Sequence, residues 1–182
     1  FYGIPTSETH ELLAGLAGAG LATAGPSVLL WGGWGKVGVG LAMSTLMGFG
    51  LAALIMTAIY WGFRRMRRSR VMHLFGRAQV VSAAFMAFSH GSNDGQKFMG
   101  VFALALLLGG QTTEFEVELW VMLLCGFVMA LGTALGGWRI IKTMGHKIIK
   151  LEPVHGFAAE TSAACIIGVA DYYSAPISTT HT

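Results

Sequence analysis

Two short motifs rich in hydroxyl side chains, one near each end of the 182-residue sequence, hold the residues best suited to bind an anion. They are Pro5-Thr6-Ser7-Glu8-Thr9-His10 and Pro176-Ile177-Ser178-Thr179-Thr180-His181. Proline favours the start of a helix, where Ser and Thr hydroxyls satisfy free N–H groups, and those N–H groups attract oxyanions together with the positive end of the helix dipole. The pattern predicts a cage for a tetrahedral anion, with hydroxyls from Ser7, Thr9, Ser178, Thr179 and Thr180. For any one of these residues, helix capping alone is the competing interpretation.

The two motifs are related by a constant offset, because Pro5 and Pro176 differ by 171 positions and so do His10 and His181. Four of the six aligned positions carry the same residue type. We therefore expect the chain to be one period of an internally duplicated protein, and a fragment of a longer sequence. The two histidines follow the hydroxyls, where orienting a helix start and transferring a proton are both open interpretations.

A second polar stretch, Ser89-His90-Gly91-Ser92-Asn93-Asp94-Gly95-Gln96-Lys97, lies between two uncharged apolar runs, residues 78–88 and 98–110. As a helix each run is about 17–20 Å long, whereas the hydrocarbon core of a bilayer is about 30 Å thick. The economical prediction is one membrane helix that is broken at depth by Gly91 and Gly95. Open backbone at that depth must be satisfied by protein or by a water-filled cavity.

Two carboxylates in these apolar surroundings are candidate ion ligands, because burying their charge in hydrocarbon is costly. Asp94 lies at the predicted break, and together with Asn93 it offers oxygen atoms that could hold a driving Na⁺. Lys97 follows Asp94 by three residues, so the two can form an ion pair with a structural or a gating role. Glu160 lies in the apolar segment 157–170 and indicates ion binding, unless it snorkels from a loop end.

The composition is that of a polytopic membrane protein, with 54% hydrophobic and 12% charged residues and a mean hydropathy of +0.62. The formal net charge of +3 does not indicate nucleic-acid binding, because the basic residues fall in short loops between apolar runs. No metal or catalytic motif of the His-Glu-x-x-His or Gly-x-Ser-x-Gly type occurs. The chain is therefore expected to be an integral membrane protein and not an enzyme.

The loops alternate in charge as the positive-inside rule requires. A basic loop, residues 64–77, lies between predicted spans 37–63 and 78–110, and an acidic loop at 114–118 precedes span 119–138. Residues 1–36, with a Gly/Trp-rich connector at 31–35, form the end of a first repeat, and 78–182 form a second repeat that closes with a hairpin at 156–182.

Three spans between the two motifs place the motifs on opposite sides of the membrane. The adjoining apolar segments, 12–24 and 157–170, are too short to cross easily, so each motif is expected to cap a re-entrant hairpin near the midplane. The predicted fold is an all-α inverted-repeat secondary transporter with discontinuous helices and re-entrant hairpins.

At these motifs the sequence resembles the inorganic phosphate transporter (PiT) family. The resemblance rests on four segments in the family's order, and it covers essentially the whole chain: Gly91-Ser92-Asn93-Asp94, Gly137-Trp138-Arg139-Ile140-Ile141-Lys142-Thr143-Met144-Gly145, Gly156-Phe157-Ala158-Ala159-Glu160 and Pro176-Ile177-Ser178-Thr179-Thr180-His181. It implies symport of phosphate with Na⁺ or H⁺ in a multi-pass protein of a prokaryotic plasma membrane, surrounded by lipid and with a homodimer as a plausible assembly.

The resemblance also implies roles for particular residues. Asn93 and Asp94 match the family's second cation-site motif, and the hydroxyl residues of the two end motifs match its phosphate-binding motifs. Glu8 departs from the pattern, because it stands where the family has a hydroxyl residue.

The function expected from these observations is alternating-access transport of phosphate coupled to a cation. Three alternatives remain at this point: a sulfate permease of the same fold, an intramembrane hydrolase that uses Ser178, His181 and Asp94, and a channel. Phosphate can donate a hydrogen bond at neutral pH whereas sulfate cannot, so an acceptor such as Glu8 or Asp94 would favour phosphate.

Overall fold

The computed structural model describes residues 6–142, 151–173 and 177–179, and within these ranges the chain contains helices and no strand. This agrees with the predicted all-α fold. The described helices are α1 (Glu8–Ala24), a 3-10 turn (Pro26–Val28), α2 (Trp31–Phe63), α3 (Arg68–Leu108), α4 (Leu119–Lys142) and α5 (Pro153–Tyr172). Three of them are long and apolar enough to cross a membrane, over Trp31–Phe63, Arg68–Leu108 and Leu119–Trp138.

The chain divides into two compact units. The first unit takes its described residues from Thr6–His90 and Leu151–Thr182, so it combines the two ends of the sequence. The second unit takes its described residues from Gly91–Lys150. Helix α3 contributes to both, because the boundary falls between His90 and Gly91.

Helix α1 ends at Ala24, directly before Gly25-Pro26, a pair of residues that marks turns. Gly25 has a φ of 74°, a left-handed conformation that glycine adopts without steric cost, and its N–H donates to the carbonyl of Leu21. Pro26 then begins the 3-10 turn. The helix begins one turn earlier than the apolar segment 12–24, because Ser7 caps it.

Helix α2 is longer than predicted. The Gly/Trp-rich residues 31–35, expected to be a connector, form its first turns, and the helix runs for 33 residues. That is about 50 Å, so α2 must tilt or extend beyond a hydrocarbon core of about 30 Å. The basic loop expected at 64–77 is also shorter, because α3 begins at Arg68. Arginine and methionine are good helix formers, which explains why this charged segment continues as helix.

Helix α3 is continuous, so the predicted break at Gly91 and Gly95 is wrong. Its 41 residues are helical throughout, including the polar stretch. Glycine in a helix costs only about 1 kcal/mol relative to alanine. Lys97 bonds side chains three and four residues before it, contacts that exist only at helical spacing. The two glycines permit a break without causing one.

Helix α5 is the buried element of the first unit and packs against α2. Near its start, Val154 and Ala158 join Ile59 of α2 and Phe75 of α3 in one apolar cluster. Near its end, a second cluster consists of Ile166, Ile167, Ala170 and Ile177. These clusters fix the position of α5 along the axes of the neighbouring helices. They thereby also position the polar side chains of α5 that lie between the two clusters.

The second unit is organised by the turn after α3. Gly110 has a φ of 68°, its N–H donates to Leu107, and the N–H of Gln111 donates to Leu106. This pair of bonds is the Schellman motif that ends many helices. The following loop leads into α4, where the Trp120 ring packs edge-on against Phe102 of α3 at a centroid distance of 5.8 Å.

Candidate functional site

The two hydroxyl motifs meet in the first unit. Ser7 Oγ and Ser178 Oγ lie 2.9 Å apart, a hydrogen-bond distance between residues separated by 171 positions. This separation equals the offset by which the two motifs align. The predicted encounter of the motifs is therefore present, and it joins equivalent serines of the two copies.

Three of the hydroxyl residues predicted to bind the anion are buried. Thr9 is 8% exposed, Ser178 3% and Thr179 9%. Thr180 and His181, also singled out in the sequence, lie outside the described residues. Glu8 and Glu11 are exposed in the first turn of α1, where carboxylates stabilise the helix N-terminus and compete with an external anion for it.

Ser7 is the hub of a small hydrogen-bond network. As the N-cap of α1, its Oγ accepts from the N–H of His10 at 3.4 Å, and it also lies 2.6 Å from Nδ1 of the same residue. A hydroxyl has one proton to donate. If His10 Nδ1 carries its proton, it donates to Ser7, which then donates to Ser178. The hydroxyl proton of Ser178 then points elsewhere.

The opposite tautomer reverses this chain. If Nδ1 is bare, Ser7 donates to it, and the proton of Ser178 is used to donate to Ser7. His10 thus both orients the helix start and sets the direction in which the two serines donate. These contacts agree with the first of the two open interpretations of His10, the orientation of the helix start.

A second polar cluster surrounds Glu160 on α5. Ser82 Oγ donates to Glu160 Oε2 at 2.5 Å, and Gln79 Nε2 donates to Glu160 Oε1 at 3.3 Å. Both partners lie on α3, and Ser82 is 6% exposed. Glu160 lies in the second turn of α5, half-buried and bonded to a neighbouring helix. It is therefore not the snorkelling loop-end residue that the sequence left as an alternative.

Sequence reasoning missed Gln79 and Ser82. They are about 80 residues away from Glu160 and belong to no motif, so only their spacing of three on one helix face could have suggested a joint role.

Gly156 makes room for this cluster. A Cβ at position 156 would lie 2.0 Å from Gln79 Nε2. We expect Gly156→Ala to displace the Gln79 amide from Glu160, and the free energy of unfolding to fall by about 1.5–3 kcal/mol, the contribution of a hydrogen bond to a charged group. Denaturant titration of the purified full-length protein in detergent would measure this.

Gly168→Ala is the matched control, because it lies on the same helix and a Cβ there meets nothing within 4 Å. In a Gln79→Ala background, Gly156→Ala should cost little further stability. Equal effects of the two alanines in the native background would contradict the clearance role of Gly156.

The third polar cluster belongs to the second unit and lies within one helical turn of α3. Lys97 Nζ donates to Asn93 Oδ1 at 2.5 Å and to Asp94 Oδ1 at 2.8 Å. Asp94 is 1% exposed and Asn93 6%, whereas the Lys97 side chain is 21% exposed. The predicted ion pair is confirmed. Among the residues that the structure describes, no group of three or more His, Cys, Asp or Glu could hold a metal ion.

Comparison with protein families gives a match over the whole sequence. A family model described as "Phosphate transporter family" matches residues 1–71 and 62–182. A "Probable low-affinity inorganic phosphate transporter" of Rhizobium meliloti (strain 1021) is 44% identical over 182 residues, which are all of this chain and 54% of that protein. A protein of the same description from Bacillus subtilis (strain 168) is 37% identical and is covered over 55% of its length. The chain thus spans about half the length of these relatives.

The fold also matches a solved structure, "The sodium-dependent phosphate transporter", with a TM-score of 0.82 at 21% identity. The alignment covers 99% of this chain and 62% of that one. The likeness supports the transporter fold class expected from the sequence. The family and the named relatives are transporters, in agreement with the prediction of a non-enzymatic membrane protein of a prokaryote.

Proposed function

Because this chain belongs to the phosphate transporter family, we propose that it forms part of a permease that moves inorganic phosphate across the membrane by cation-coupled symport. The observation that carries the proposal is the 2.9 Å contact between Ser7 Oγ and Ser178 Oγ. It joins two anion-binding motifs from opposite ends of the chain in one unit. The names of the bacterial relatives support phosphate as the substrate.

In the proposed anion site, phosphate contacts hydroxyls of both motifs. Ser7, Thr9, Ser178 and Thr179 contribute from the described residues, and Thr180 belongs to the same set by the motif. In the tautomer of His10 with a proton on Nδ1, Ser7 donates to Ser178, so the proton of Ser178 is not used to donate to Ser7. The N-terminus of α1 adds its partial positive charge.

Phosphate is favoured over sulfate by the acceptor at the first motif. Glu8 follows Ser7 directly and lies in the first turn of α1. Its carboxylate can accept the hydrogen bond that a protonated phosphate oxygen donates, whereas sulfate has no proton to offer and would meet only repulsion. Glu8 therefore acts as the discriminating residue in this proposal.

The coupling ion is Na⁺ or H⁺ and acts at the buried polar groups. Glu160 supplies a carboxylate that is bonded to Ser82 and Gln79. Asn93 and Asp94 supply a second set of oxygens, which Lys97 contacts in this structure. Alternating access requires the anion site to open to each side in turn. The contact between Ser7 and Ser178 can separate at low cost, because a hydrogen bond between two hydroxyl groups is worth only about 1 kcal/mol.

The test is radiolabelled phosphate uptake into proteoliposomes by a full-length transporter that contains this chain, with and without Na⁺ and proton gradients. Ser178→Ala is expected to lower uptake about tenfold or more, because a hydrogen bond to a charged group is worth about 1.5–3 kcal/mol. Ser7→Ala should have a similar effect, and the double variant should lose less than the sum of both, since the residues contact each other.

Ser27→Ala is the control, because Ser27 is exposed and bonds only within its own turn. Sulfate is included as a competitor. Phosphate uptake unaffected by both serine variants would overturn the assignment of the site. Accumulation of sulfate in place of phosphate would overturn the assignment of phosphate as the substrate.

A further inference from the structure

The contacts around Asp94 bear on which cation its carboxylate binds, a question that the motif alone does not answer. We propose that Lys97 is the resident cation of the Asn93–Asp94 site, where its ammonium group takes the place of a free Na⁺. The inference rests on the proposed function, since it concerns which ion that transporter uses at this site. It identifies Lys97 as the residue that excludes Na⁺ there.

The oxygen atoms that would hold a monovalent cation already hold one. Amide and carboxylate oxygens are the ligands that hard cations take in proteins. Here Asn93 Oδ1 and Asp94 Oδ1 accept from the same Nζ, at 2.5 and 2.8 Å. The lysine ammonium is a compact point charge of +1 with three donors, so it matches Na⁺ in charge and meets the same oxygens.

The lysine is fixed in place by the helix. Asn93 and Asp94 precede it by four and three residues, so all three side chains lie on one face of α3 and can meet without any change in backbone conformation. Asp94 is almost fully buried, and a carboxylate at such depth needs a permanent partner. A tethered cation provides one that cannot diffuse away.

A second cation cannot enter while the ammonium group remains. Na⁺ bound to the same two oxygens would lie beside a like charge, and both Asn93 and Asp94 are buried. Lys97 must therefore leave before Na⁺ can bind. Shortening or neutralising this side chain should open a Na⁺ site that the native protein lacks.

The experiment measures equilibrium binding of radiolabelled Na⁺ to the purified full-length transporter, which requires no transport. Lys97→Met is expected to raise the Na⁺-to-protein ratio by one, and Lys97→Met combined with Asp94→Asn should remove that gain. Lys36→Met is the matched control, because it removes the same charge from an exposed lysine. In proteoliposomes, Lys97→Met should also make phosphate uptake at least threefold more responsive to Na⁺ than in the native protein.

The proposal is overturned if folded Lys97→Met gains no Na⁺. Asp94→Asn in the native background gives an independent test should Lys97→Met not fold. It is expected to leave Na⁺ binding unchanged, and loss of a bound Na⁺ would show that the native site holds a free ion. Absence of phosphate uptake by the native protein would defeat the proposed function, whereas the Na⁺ ratios would still decide the role of Lys97.

Discussion

Replacing Asp94 with alanine is expected to lower the free energy of unfolding by about 3–5 kcal/mol, the cost of removing one partner from a buried ion pair. Asp94 is 1% exposed, and the Lys97 side chain that it neutralises is 21% exposed. In the variant, the Lys97 ammonium group loses the carboxylate and keeps the amide oxygen of Asn93. Denaturant or thermal unfolding of the full-length protein in detergent would measure the loss.

A second substitution separates this cause from simple loss of packing. Adding Lys97→Met removes the uncompensated charge, so the double variant should recover most of the lost stability. Glu114→Ala, in the exposed acidic loop of the same unit, should leave stability unchanged. A double variant as unstable as Asp94→Ala alone would show that the ion pair is not what Asp94 contributes.

Replacing Glu160 with glutamine is expected to reduce phosphate uptake at least tenfold while the protein stays folded. Glutamine keeps the shape of the side chain and one acceptor for Ser82, but it cannot carry the negative charge that a coupling cation requires. Glu160→Leu should lose uptake and stability together, by about 1–3 kcal/mol, because Ser82 and Gln79 lose their partner. Uptake and thermal unfolding are measured side by side.

Comparison of Glu160→Gln with Glu160→Leu separates the effect of the negative charge from the effect of the hydrogen bonds. Glu116→Gln is the control, since it removes a carboxylate from the exposed acidic loop. If Glu160→Gln transports phosphate at the native rate, Glu160 is a structural residue and the coupling ion acts elsewhere.

The sequence was most informative where a feature depends on a duplicated motif or on a few neighbouring residues. The hydroxyl chemistry of the two motifs and the re-entrant hairpins expected near the midplane predicted that the motifs meet, and the structure joins Ser7 to Ser178. Gly25 with Pro26 marked the end of α1, because left-handed backbone and a missing N–H both oppose helix continuation. The helix predicted at 119–138 is present as α4, which begins at Leu119 and continues to Lys142.

The sequence was misleading where weak local preferences compete with side-chain contacts. Gly91 and Gly95 suggested a break, but the bonds from Lys97 to residues 93 and 94 favour helical spacing, and the helix continues. The glycines at 32, 33 and 35 likewise suggested a connector, but they form the first turns of α2, a helix that packs against α5. Tertiary packing overrides propensity differences of about 1 kcal/mol.

Other features could not be found from a single sequence because they depend on long-range packing. No neighbouring residue marks Gln79 or Ser82 as a partner of Glu160. The need for glycine at position 156 is visible only in the structure, where the Gln79 amide packs against it. These contacts exist only because the apolar cluster of Ile59, Phe75, Val154 and Ala158 sets the height of α5 along α3.

The contact between Ser7 and Ser178 also determines when the proposed anion site can form during synthesis. At about 5–20 residues per second, the ribosome needs roughly 10–30 s to proceed from the first serine to the second. Over that interval the start of α1 exists without the hydroxyl it later contacts. A nascent chain released early would hold apolar helices competent to enter the membrane, yet no completed anion site. The proposed anion site is therefore complete only after Ser178 has been synthesised.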